Sequence, residues 1–103
     1  MIFIETSIFT KRVKTLLDDE EYRNLQLELV RDPQKGVLIQ HSGGFYKLRW
    51  AAKGKGKSGG VRIIYYWMAD DHQIYMLLIY SKSKQDDLTP AQVKQLRKII
   101  EEG

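Results

Sequence analysis

The chain has 103 residues, 43% of them hydrophobic, with 17 Lys plus Arg against 13 Asp plus Glu and no cysteine. That length suits one compact domain over residues 1–103 and excludes large enzyme folds such as the (β/α)8 barrel and the protein kinase. The missing cysteine excludes disulfides, thiolate nucleophiles and Cys-containing zinc sites, and no apolar stretch approaches the roughly 20 residues of a membrane span. A cytoplasmic protein without a membrane partner is expected.

In chain order, Ile2-Phe3-Ile4 reads as a short strand closed by Glu5-Thr6-Ser7, a helix cap. Phe9, Val13, Leu16 and Leu17 then share one helical face. The carboxylates Asp18 to Glu21 suit a new helix N-terminus, and Tyr22, Leu25 and Leu29 give a second amphipathic helix that stops near Asp32-Pro33, so the two form a hairpin. After Gly36 the period changes to two. Tyr46, Leu48 and Trp50 alternate with Phe45, Lys47 and Arg49, a strand with one wet, cationic face. Lys53 to Gly60 is too polar and glycine-rich for regular structure, whereas Val61 to Met68 is β-branched and aromatic. A tight turn at Ala69 to His72 leads into a strand from Ile74 to Tyr80, completing a three-strand antiparallel meander. Thr89-Pro90-Ala91-Gln92 is a capping box with proline at the first helical position, and Val93, Leu96 and Ile100 line a last helix. The expected class is α+β, in the order βααβββα, with a mostly antiparallel twisted sheet packed by helices.

Charge is unevenly distributed. Residues 1–32 carry 5 basic and 7 acidic side chains, residues 33–85 carry 9 and 2, and residues 86–103 carry 3 and 4. No Asp or Glu lies between Asp32 and Asp70, a window holding Lys35, Lys47, Arg49, Lys53, Lys55, Lys57 and Arg62. Such a segment suits a polyanion, although scattered lysines on a solvated loop would read the same way. Gly54, Gly56 and Gly59 match a dinucleotide fingerprint only in spacing, because a strand rather than a helix follows them. Ala51 stands where a P-loop needs glycine. What remains is a cationic loop between strands, suited either to closing over a phosphate backbone or to serving as a plain hairpin connection.

Arg62 shares a strand face with Ile64, Tyr66 and Met68, which puts a guanidinium at the rim of an apolar strand. Arg holds phosphate bidentately, and the alternative is a salt bridge to a helix carboxylate such as Glu28. The aromatics serve chiefly as core, with Tyr66 the candidate for stacking on a base. His41 and His72 sit on separate loops, so neither an acid-base histidine pair nor a metal constellation is visible, and no cofactor is expected.

The element order resembles a known family. So do the segments Gly43-Gly44-Phe45-Tyr46-Lys47-Leu48-Arg49-Trp50, Gly59-Gly60-Val61-Arg62-Ile63-Ile64-Tyr65-Tyr66 and Ile79-Tyr80-Ser81-Lys82 leading to Asp87-Leu88-Thr89. Over nearly its whole length the chain is similar to the RelE/HigB bacterial toxins. The resemblance implies an endoribonuclease that cuts mRNA in the ribosomal decoding site and is held inactive by an antitoxin, commonly a helix-turn-helix protein for HigB-like members. By position it implies site roles for Lys47 and Arg49, for Arg62, and for Lys82 or Lys84 after the last strand. The tyrosine that some members carry near the last helix is missing, since no Tyr follows Tyr80.

Chemistry supports a catalytic set of Arg62, Lys47, Arg49, Lys82 and Lys84, with Lys53, Lys55, Lys57 and Tyr66 as RNA contacts. Attack by the 2′-hydroxyl of the RNA needs that oxygen deprotonated, the phosphorane charge neutralised and the 5′-oxygen protonated. Cations can cover all three without a metal. One of Lys47, Lys55, Lys57, Lys82 or Lys84 would serve as acid or base while Arg62 holds the phosphate, since clustered like charges ease deprotonation. Two rival readings stay open: a non-catalytic RNA-binding module on the same basic sheet, and a toxin-like protein inactive without the tyrosine.

Overall fold

The structure is a computed structural model that describes residues 1–52, 60–85 and 87–102. Lys53, Lys55, Lys57 and the glycines between them lie outside the described residues. The elements are β1 (Ile2–Glu5), α1 (Ser7–Leu16), α2 (Asp19–Arg31), β2 (Val37–Leu38), β3 (Phe45–Trp50), β4 (Val61–Met68), β5 (Gln73–Ser81) and α3 (Pro90–Glu102). This is the expected α+β order with one addition, the two-residue strand β2. Periodicity has nothing to act on in so short a segment; only its pairing with Tyr46 and Lys47 of β3 makes it a strand.

The sheet runs β1-β5-β4-β3-β2. β2 to β5 form an antiparallel meander, and β1 lies parallel to β5 at the other edge. A bulge interrupts the β4–β5 register: Ile64 faces Leu78 while Tyr65 faces Met76. The extra residue, Leu77, turns toward α3, and its carbonyl accepts from the Thr6 hydroxyl at 2.8 Å.

Local chemistry starts each helix where expected. Thr6 caps α1 by accepting from the Phe9 N–H at 3.1 Å. Asp18 and Glu21 form a reciprocal capping box on α2, at 2.7 and 3.0 Å. Thr89 and Gln92 do the same for α3, at 3.1 and 3.0 Å.

Two cores lie on opposite faces of the sheet. On one, Phe9, Val13 and Leu17 of the α1 region and Leu25 and Leu29 of α2 bury Leu48, Val61, Ile63, Tyr65, Ile74, Met76 and Ile79. On the other, Leu96 of α3, with Val93 and Ile100, packs on Phe45, Ile64, Leu77, Leu78 and Tyr80. The face of β3 that carries Lys47 and Arg49 is therefore only partly wet, because Phe45 on the same face is buried under α3. The Tyr65 hydroxyl ties the sheet to the α2–β2 connection, donating to the Pro33 carbonyl at 2.8 Å and accepting from the Gly36 N–H at 3.0 Å.

Candidate nucleic-acid interface

Antiparallel pairing of β3 and β4 places Arg49 directly opposite Arg62, and Arg62 directly opposite Tyr80 of β5. Lys47 lies two residues along β3, opposite Ile64. Three cations thus converge on the α3 face of the sheet, at the end where β4 begins. Side chains directly opposite each other in an antiparallel pair start from Cβ atoms about 4.5–5.5 Å apart, and like charges there are unfavourable. Two facing arginines are a poor choice for stability and a good one for gripping an anion bidentately.

Arg62 differs from the sequence expectation in one respect. It does not stand exposed at a rim but is buried, at 4% exposure, with Nη1 donating to the Val61 carbonyl at 3.2 Å. Its strand is flanked on both sides, by β3 and β5. Glu28 is not its partner: α2 packs on the opposite face, and Glu28 pairs with Arg31 at 3.3 Å and Lys35 at 3.4 Å.

Lys47 donates to Asp87, which lies on the connection from β5 to α3. The Asp87 carboxyl sits below the ordinary carboxylate range, first because of that hydrogen bond and then because of the Lys47 charge, with Arg49 and Arg62 adding to the effect. Sequence reading gave Asp87 no role. A signal was there, because Asp86 and Asp87 are the first acidic residues after Asp71, at the end of the most basic stretch of the chain.

Lys82 adjoins the cluster, its backbone N–H donating to the Gly60 carbonyl at 3.2 Å, two residues before Arg62. Gly60 adopts φ +73°, and a Cβ there would come within 2.3 Å of the Trp50 carbonyl, so glycine is required where the chain enters β4. Lys84 turns elsewhere. With Arg12, Thr15, Ser81 and Ser83 it lines a cleft of about 540 Å³ between α1 and the end of β5, which Tyr80 also lines. Tyr66 shares the face of Arg62 but lies four residues, roughly 13 Å, along the strand. It is half-buried, edge-to-face with Phe45 at 6.0 Å and 82°. His72 lies at the turn that closes the other end of β4, and His41 precedes β3 near α3; neither joins the arginines. Among the described residues, no group of three or more His, Cys, Asp or Glu side chains is placed to hold a metal ion, and no helix is long and apolar enough to cross a membrane.

Comparisons with known proteins bear on the family and the fold. The family described as the RelE toxin of the RelE/RelB toxin-antitoxin system matches residues 3–102. Among solved structures, the chain is similar to a double-arginine mutant of the Escherichia coli RelE toxin in the free state, at 13% identity and TM-score 0.66, covering 96% of each chain. It is similar also to the isolated E. coli RelE toxin, at 12% identity and TM-score 0.61, over 95% of this chain and 97% of that one. At these identities the structural likeness speaks for the fold.

Proposed function

Since the chain belongs to the RelE toxin family and is thereby a toxin of a toxin-antitoxin system, we propose that it is a ribosome-dependent endoribonuclease that cuts mRNA in the decoding site and so inhibits translation. The observation that carries this reading is the register that sets Arg62 opposite Arg49 with Lys47 beside them on one face. In the proposed reaction the RNA 2′-oxygen loses its proton and attacks the adjacent phosphorus. The bond to the 5′-oxygen then breaks as that oxygen gains a proton, leaving a 2′,3′-cyclic phosphate and a free 5′-hydroxyl. Arg62 and Arg49 hold the phosphate and offset the charge gathering on its oxygens. Lys47 or Lys82 would move the protons, and Lys84, which lines the α1 cleft, would hold flanking RNA. Lys53, Lys55 and Lys57 would add backbone contacts and Tyr66 a stacking surface. No metal or cofactor is needed for these steps.

The ribosome supplies what so small a face lacks, holding the mRNA in a bent geometry close to that of attack. Action would be in the cytoplasm, with ribosome and mRNA as partners and a cognate antitoxin, of helix-turn-helix type, as inhibitor. The test compares the purified chain on naked mRNA and on programmed ribosomes, with mapped 5′ ends and with and without a chelator. Cutting confined to ribosomes and indifferent to the chelator is expected. Retention of RNA without cutting would favour a binding module, and efficient metal-dependent cutting of free RNA would overturn the reading.

A further inference from the structure

The cationic row on the α3 face already has an anion in it. Lys47 is paired with Asp87, 40 residues away in sequence, and the carboxyl also feels Arg49 and Arg62. The segment that carries Asp87 is anchored. The Gln85 side-chain amide donates to the Asp87 carbonyl at 2.9 Å and to the Gln92 side chain at 2.6 Å. Gln92 is in turn half of the capping box that starts α3. The hydrogen bonds that begin the last helix therefore also fix where this carboxylate stands.

We propose that Asp87 is a built-in stand-in for phosphate: its carboxylate occupies the Lys47 end of the cationic row that Lys47 forms with Arg49 and Arg62, and a phosphate or phosphodiester group must displace it to bind. This rests on reading that face as a phosphate site. Two features favour displacement over a permanent structural bridge. The Asp87 side chain is 71% exposed, so its ion pair is open to water and to competitors, whereas the Lys47 side chain, at 18%, stays with the sheet. Arginine, moreover, presents a planar fork that a phosphate engages as well as a carboxylate does. Asp87 thus sets how much of the site's attraction for phosphate is available, and its exposed side chain is the element that must yield.

The experiment titrates inorganic pyrophosphate into the full chain by calorimetry at low and moderate salt. Asp87→Asn, which keeps the shape and removes the charge, should bind pyrophosphate about two- to fivefold more tightly than the natural chain, the range spanned by exposed ion pairs. Asp87→Glu should bring affinity back toward the natural value, and the gain should shrink as salt rises. Equal or weaker binding by a folded Asp87→Asn chain, checked by its thermal melt, would overturn the proposal by making Asp87 a support for the site. The readout needs no ribosome. A chain that cuts mRNA without the pyrophosphate gain refutes the stand-in alone, while a chain that shows the gain and never cuts mRNA refutes the nuclease alone.

Discussion

The two faces of the sheet are built on different terms. Toward α1 and α2, Phe9, Leu25, Leu29, Ile63 and Tyr65 are all fully buried, and the residues that touch them from the strands are apolar or aromatic. Toward α3, the same strands carry Phe45 and Tyr66 at one end and Arg49 and Arg62 at the other, with Lys47 level with Ile64 and Leu78 between them. The single helix α3 covers the apolar end. One face spends its surface on stability; the other divides it between holding a helix and presenting charge. A 103-residue chain has no separate layer to give to a site, so the proposed site shares a sheet face with a core.

Truncation breaks this comparison most directly. Leu25→Ala, in the fully buried face, should cost about 2–5 kcal/mol of unfolding free energy in urea melts, with Leu96→Ala, at the margin of the α3 face, at the low end of that range. Equal costs would mean that α3 is as much a part of the folded body as α2. Arg62→Ala tests the other end of the divided face. Cleavage should fall by about 10²–10³ while the melt shows a folded protein. Loss of folded protein instead would assign the buried guanidinium to structure.

Tyr65→Phe sharpens the contrast from within the apolar face. It removes a hydroxyl that serves both Pro33 and Gly36, at a cost of about 1–2 kcal/mol. Burial pushes the Tyr65 phenol up to about 12 from an ordinary value of 10.0. Tyr22 is raised as well, by burial and by its 2.5 Å hydrogen bond to Glu5. A folded-state pKa above the unfolded one means stability that is complete below pH 10 and lost as pH rises toward 12. Melts across that window should show the loss, reduced in Tyr65→Phe. The smallest effect is expected from Thr89→Ala, about 1 kcal/mol confined to the start of α3 and read as faster amide exchange in its first turn. Because Gln92 also holds Gln85, the same variant should loosen the Lys47–Asp87 pair, visible in the Lys47 side-chain resonances.

Local rules made much of this molecule legible. Helix starts at Thr6, Asp18 and Thr89 follow from side chains that satisfy backbone N–H groups within three residues, and period-two alternation marks β3 and assigns Lys47 and Arg49 to one face. Arg62 and the meander follow from the same short-range reasoning. Other features depend on partners distant in the chain. β2 is a strand only because β3 pairs with it, β1 runs parallel to β5 although two helices and three strands separate them in the chain, and the Leu77 bulge is set by how β5 meets β4. The burial of Arg62 was not visible locally, because alternation assigns a face but not what covers it. Asp87 was missed for the same reason: hydrogen bonds within its own loop place it, but the charge it answers lies on β3, 40 residues earlier. Periodicity and capping are local energies written in neighbouring residues, whereas register, coverage and charge pairing arise only when separate segments meet.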